Sequence, residues 1–213
     1  MPAPNLAHLQ AQPNLLLTWL NDNLLLAGLM TNVPNPPGLA WVTITAPPVI
    51  PGMPSLAVNA SGRPMDVFTL RTNGGGVGDS VRSYVCNYTA NGVHSIDLVN
   101  AADYCFTVTL NGCTFGIGPR TPLGFRRVSH ANTGGNAFVQ RTQTWTQHGV
   151  PANSYAISLL EPSEYRRLGG GGNLNATVFG VRTGVSWAFY FQLYTAVGNG
   201  NYKVHGVFPI RVP

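Results

Sequence analysis

Hydrophobic positions along the chain fall into short runs broken by Gly, Pro, Asn and Asp, and most runs carry β-branched or aromatic residues. The clearest strand pattern is Tyr104 to Leu110 (YCFTVTL), which ends at the turn signal Asn111-Gly112. Val81 to Tyr88 alternates, placing Val81, Ser83, Val85 and Asn87 on one face. Leu39 to Thr45, Met65 to Arg71 and Tyr202 to Val212 read as further strands, and Ala176 to Val185 with Trp187 to Tyr194 as a pair. The runs LLLTWL and LLLAGLM flank Asn21-Asp22-Asn23 and read as two strands around a turn, a buried helical hairpin being the alternative. Helix signals are residues 4–12 before Pro13, Ile96 to Ala102 with Ser95 as N-cap, and Glu161 to Leu168 with Pro162 in its first turn. Residues 116–127 read as a Gly/Pro/Arg loop entering a strand at Val128-Ser129-His130, followed by a patterned segment from Phe138 to Trp145. Asn73 to Gly76 is a turn, and the tetraglycine Gly169 to Gly172 a hinge. The expected fold is α+β: a sandwich of two mixed β-sheets flanked by short helices and long loops, in one domain over residues 1–213.

Composition narrows this picture. Hydrophobic residues at 44% and charged residues at 9% supply a core and exclude a disordered chain. A net charge of +5 comes without a dense Lys/Arg stripe, so nucleic acid is not an expected partner. The basic residues gather at Arg120, Arg126, Arg127 and Arg141, then at Arg166 and Arg167, a surface suited to an acidic protein partner if they are more than solvated side chains. Leu15 to Met30 is too short and too polar to span a bilayer, and the first residues lack the basic start and cleavage site of a secretory signal. Cys86, Cys105 and Cys113 are an odd number, read as thiols in a reducing compartment.

Cys113 follows a strand on a Gly-containing turn, where the backbone is held and amides of Asn111 to Cys113 are able to face the same point as the sulfur. His130 closes the next strand-like segment, so the chain can return it beside the thiol as a base. Chemistry alone leaves the inert packing cysteine as the commoner alternative. The run Phe106-Thr107-Val108-Thr109-Leu110-Asn111-Gly112-Cys113, with His130 downstream, resembles the nucleophile strand and turn of the Burkholderia lethal factor-like glutamine deamidase toxins. That group is related in fold to the catalytic domain of cytotoxic necrotizing factor. Its Leu-Ser-Gly-Cys motif is matched by Leu110, Gly112 and Cys113, with Asn111 in place of Ser. Thr107, six residues before Cys113, stands where the group has a Thr that supports the His. A second stretch, Ala176 to Thr195, resembles the toxins' late strand pair through Thr183-Gly184 and the ending at Gln192 and Tyr194, read as scaffold. The two resembling segments, 97–130 and 176–195, cover about a quarter of the chain. The Cys-to-His connection is several residues longer here and carries Arg120, Arg126 and Arg127, an expected substrate-approach loop that points to a different target.

The resemblance implies a bacterial effector acting in the host cytosol, with Cys113 as nucleophile, His130 as base and Thr107 orienting the imidazole. Its substrate would be a glutamine in a host protein, by family resemblance a translation factor or small GTPase. No metal or organic cofactor, no nucleic acid, no membrane and a monomeric state are expected. Transglutamination or proteolysis share the acyl-enzyme chemistry and stay open, as does a non-catalytic β-sandwich binding module. A zinc site drawn from Cys86, Cys105, Cys113, His94, His130 and His148 lacks the usual ligand spacings. His148 and His205 read as surface or strand residues, and Glu161 and Glu164 as partners of Arg166 or Arg167. Asp97 and Asp103 read as loop or cap residues close to the catalytic strand, and Trp145 and Trp187 as core or rim aromatics.

Overall fold

The computed structural model describes residues 14–27, 38–46, 55–73, 80–88, 90–134, 136–170 and 173–213. The helix expected over 4–12, the turn beyond Asn73 and half of the tetraglycine lie outside them. In chain order the elements are α1 (Asn14–Asp22), β1 (Asn23–Leu26), β2 (Leu39–Thr45), β3 (Leu56–Val58), β4 (Pro64–Asn73), β5 (Val81–Cys86), β6 (Gly92–Leu98), β7 (Tyr104–Thr107), β8 (Thr114–Arg120) and β9 (Arg126–Asn132). They continue with α2 (Ala137–Gln147), β10 (Ser158–Leu160), α3 (Pro162–Leu168), β11 (Leu174–Thr183), β12 (Ser186–Gly198) and β13 (Asn201–Ile210).

The architecture corrects the expected sandwich. Strand makes up 54% of the described residues, and eight strands close into a barrel. Their order is β4-β2-β5-β7-β11-β12-β13-β3, and β3 pairs back onto β4. Closure rests on three residues of β3, parallel to β13 through Asn201↔Leu56 and antiparallel to β4 through Ala57↔Met65. A closed sheet has no free edges, which a sandwich would have to protect. β1 adds to β4 in parallel. A separate antiparallel sheet, β10-β8-β9-β6, lies on the outside of the barrel.

Alternation sorts the core into two layers. Val81, Val85, Tyr104, Phe106, Phe179 and Val181 point into the barrel, joined by Leu16 and Leu20 of α1. Cys105, Tyr84, Val178, Phe189 and Phe191 point outward and pack against Phe115, Ile117, Ile96 and Val128 of the second sheet.

Three local expectations change. LLLTWL is helical, with Leu16 and Leu20 one turn apart and fully buried, and it ends where the Asn23 carboxamide donates to the Trp19 carbonyl at 2.8 Å. Gln192, inside the barrel, fixes this corner: its Oε1 accepts from the Leu25 amide, and its Nε2 donates to the carbonyls of Leu20 and Asn23. Ile96 to Ala102 is not a helical turn; β6 runs antiparallel to β9 from Gly92↔Asn132 to Leu98↔Arg126, and Ser95 bonds Gln147 instead of capping. Residues 116–127 are not a loop but most of the β8–β9 hairpin. Its glycines are close-approach positions within a strand: a Cβ on Gly116 would stand 2.4 Å from the Thr144 methyl, and one on Gly118 2.5 Å from His148 Nδ1. Those contacts come from α2, which covers the sheet's outer face through Gln140, Thr144 and Trp145 and starts at Asn136, whose Oδ1 accepts from the Val139 amide at 3.2 Å.

Candidate active site

The turn carrying Cys113 leaves β7 through Leu110, which exchanges two backbone hydrogen bonds with Ala176 at 2.8 and 3.0 Å. Gly112 takes φ +81°, a conformation that disfavours any side chain there. Two helices hold the turn from above. The Gly112 amide donates to Tyr165 Oη at 2.8 Å, and that hydroxyl donates to the Cys113 carbonyl at 3.3 Å. Gln140 Nε2 donates to the Gly112 carbonyl at 2.9 Å, and its Oε1 accepts from Thr114 Oγ1 at 2.7 Å. Tyr165 and Gln140, neither of them singled out in the sequence, thus fix the turn. The signal for Tyr165 was its place in a well-started helix, where Glu164 Oε2 accepts from the Glu161 amide. Gln140 left no local signal.

Cys113 is 6% exposed, and its thiol points toward the Asn111 carbonyl at 4.0 Å. Burial pushes the thiol pKa up, partly offset by that contact. Cys86 and Cys105 are raised as well, chiefly by complete burial, and all three cysteines are free.

His130 sits in the middle sheet strand β9, directly opposite Phe115 on β8 and His94 on β6. Side chains of opposed residues share a face, so His130 points with Phe115 toward the barrel. Cys113 precedes β8 by one residue and lies on that same face, diagonal to His130; such neighbours are about 7–8 Å apart along a sheet. Thr107 comes from the opposite wall. It is in register with Cys86 and shares the outward face of Cys105.

All three residues therefore border the layer between barrel and second sheet, but no hydrogen bond joins them. Thr107 Oγ1 and both His130 ring nitrogens are buried without a hydrogen-bond partner among the described residues. Burial, then the neighbouring His94, lowers the His130 pKa to about 3, so its ring is neutral; the Cys86 carbonyl nearby opposes this weakly without completing a hydrogen bond of good geometry. The Tyr88 ring, half exposed, lies over the imidazole with centroids 5.9 Å apart.

The three arginines of the expected approach loop do not reach this layer's open end. β8 separates Cys113 from the hairpin tip by seven residues, about 20 Å. Arg126 is buried and donates to the carbonyls of Gly118 and Pro213. Arg127 makes a two-point pair with Asp97 at 2.7 and 3.0 Å and also donates to the Gln147 carbonyl. Arg120 is exposed at the tip. The cation beside the turn is Arg166, whose Nη2 stands 3.7 Å from where a Gly112 Cβ would be. Glu161 pairs with Arg141, not with Arg166 or Arg167, and Asp103 with Arg182.

On the other side of the turn Asn111 helps line a cleft of about 430 Å³ with Leu26, Thr109, Asn175, Tyr194 and Tyr202. The cleft carries no formal charge. Among the described residues no three His, Cys, Asp or Glu side chains group as a metal site, and His148, at the C-terminal end of α2, bonds Ser129 on the sheet's outer face, away from the other candidate ligands. No described helix is long and apolar enough to cross a membrane. Fold and geometry define a closed β-barrel carrying a second sheet, with a cysteine turn clamped at the junction. No protein-family profile matches the chain, and no curated protein matches it in sequence.

Proposed function

We propose that the protein is a cysteine-dependent glutamine deamidase acting on a host protein. The observation that carries this reading is the convergence of Cys113, His130 and Thr107 on one buried layer in which the imidazole and the hydroxyl have no partners. Unsatisfied buried polar groups are costly, and here three such atoms gather in the layer that holds the Cys113 thiol. The resemblance of the Thr107–Cys113 segment to the deamidase toxins supplies the reaction.

In this reading the neutral His130 takes the Cys113 proton as the substrate carboxamide enters and Tyr88 gives way. The sulfur bonds to the carboxamide carbon while the oxyanion is held at the turn. The Gly112 amide is occupied by Tyr165, which leaves the Asn111 and Cys113 amides as the turn's donors. The C–N bond breaks as His130 returns the proton to departing ammonia. Water then cleaves the thioester, releasing glutamate and regenerating the thiol, so one water enters and one ammonia leaves. The raised thiol and lowered imidazole describe a closed resting site that is activated on substrate entry.

The test is a host-cell lysate incubated with the protein, with glutamine-to-glutamate conversion followed by mass spectrometry. Conversion at a defined glutamine should vanish with Cys113→Ala while the melting temperature is kept. Conversion that persists in the variant, or none with the wild type, overturns the proposal and favours a non-catalytic binding module.

A further inference from the structure

We infer that the site takes glutamines flanked by an acidic residue, and that Arg166 is the residue that reads the flanking carboxylate. The inference rests on the deamidase reading and adds its substrate class. Arg166 is exposed on α3, one residue after Tyr165, whose hydroxyl holds Gly112 and Cys113. Its guanidinium is therefore carried by the element that fixes the nucleophile turn, and it reaches the space beside Gly112 where no side chain stands. The acids nearest in sequence are already engaged: Glu161 makes a two-point pair with Arg141 at 2.8 and 2.7 Å, and Glu164 accepts from the Glu161 amide. No described acidic side chain forms an ion pair with Arg166, so its donors face solvent at the rim. A guanidinium in that position matches a carboxylate in geometry and charge. On the opposite side of the turn the uncharged cleft at Asn111, Tyr194 and Tyr202 offers such a group nothing, so the charge is read on one side only.

The experiment compares alkylation of Cys113 by anionic iodoacetate and neutral iodoacetamide, each forming the S–C bond as iodide leaves. Mass spectrometry reads the site, with Cys86 and Cys105 as internal references. Arg166 should favour the anion: the iodoacetate-to-iodoacetamide rate ratio at Cys113 should fall about threefold in Arg166→Ala and further in Arg166→Glu, with the differences shrinking in high salt. Cys113 labelled with a ratio unchanged by Arg166→Glu overturns the inference and leaves the deamidase reading standing. Glutamine conversion that persists in Cys113→Ala overturns both. A converted host glutamine flanked only by Lys or Arg would also overturn the inference.

Discussion

The two faces of the β8–β9 hairpin are built from alternate residues of the same strands, yet they treat polar groups in opposite ways. On the face covered by α2, Thr114 Oγ1 donates to Gln140, Ser129 Oγ bonds His148 Nε2 at 2.9 Å, and Thr144 Oγ1 donates to the Gln140 carbonyl. His148 Nδ1 beside the Gly118 backbone and, in α2 itself, Gln143 Oε1 and Trp145 Nε1 are exceptions, left without a partner among the described residues. On the face toward the barrel, His130 has no partner at either nitrogen, and Thr107 across the layer has none for its hydroxyl. The helix face is a mount, in which hydrogen bonds position α2 and, through Gln140, the Cys113 turn. The barrel face leaves polar groups unpartnered, at a cost in stability that the proposed catalytic role would account for.

The largest effect expected from breaking this contrast is at His130. His130→Phe should lower glutamine conversion about 10²- to 10⁴-fold, the usual contribution of a general base. The same variant should change the pH dependence of stability. Unfolded, the ring titrates near 6.5; folded, burial holds it at about 3. Between those values only the unfolded chain binds the proton, so the stability present above pH 6.5 is lost as pH falls toward 3. One such group contributes a slope of about 1.4 kcal/mol per pH unit. Denaturant unfolding at pH 6 and pH 5 should show His130→Phe losing less stability than the wild type by about that amount. His148, held near 4 by burial and Arg127, keeps its share of the acid sensitivity in both proteins. Equal slopes would mean that the ring is hydrated or protonated in the folded chain.

A smaller effect, but one of opposite sign on the two faces, separates the unpartnered face from the mount. Thr107→Val removes a fully buried hydroxyl with no partner and should raise stability by about 1 kcal/mol while reducing conversion in part. Ser129→Ala removes the partner of His148 Nε2 and should lower stability by about 1–2 kcal/mol while leaving conversion close to wild type. Thermal or denaturant unfolding reads both. Two losses of similar size would erase the distinction between the faces.

Much of the barrel wall was legible because its strands carry their own pattern. Leu39–Thr45, Val81–Cys86 and the β11–β12 pair are β-branched or aromatic runs that alternate or pair locally. Closure was not legible: it depends on Leu56–Val58, three residues meeting two strands distant in sequence, and no local pattern distinguishes such a barrel from a sandwich. α1 was read only as the alternative to a strand because Thr18 is the one polar position within LLLTWL, too little to reveal a period, and β6 was missed because its His94-Ser95-Ile96-Asp97-Leu98 alternation begins behind a polar turn. At the site, the Asn111-Gly112-Cys113 turn and the strand bearing His130 were readable, since both lie in contiguous sequence. The clamps Gln140 and Tyr165 come from helices 28 and 53 residues away and are chosen by packing, which spacing does not encode. Gly116 and Gly118 misled directly: glycine signals a loop and a close approach in the same letter.

The smallest effect expected is at Arg120, and it sharpens where the substrate lies. The hairpin tip is the length of β8 from Cys113, and Arg120 there lowers the pKa of its buried neighbour Arg126, second to burial, as expected for two like charges close together. Arg120→Ala should leave glutamine conversion within about twofold of wild type, since exposed charges more than a Debye length, about 8–10 Å, from a reacting group are screened. It should not lower the melting temperature, because the charge removed repels one the fold must keep. A tenfold loss of conversion with the fold intact would bring the tip into contact with the substrate. The bound protein would then have to span the whole second sheet, from the hairpin to the turn, and Arg166 would be one end of a longer basic track.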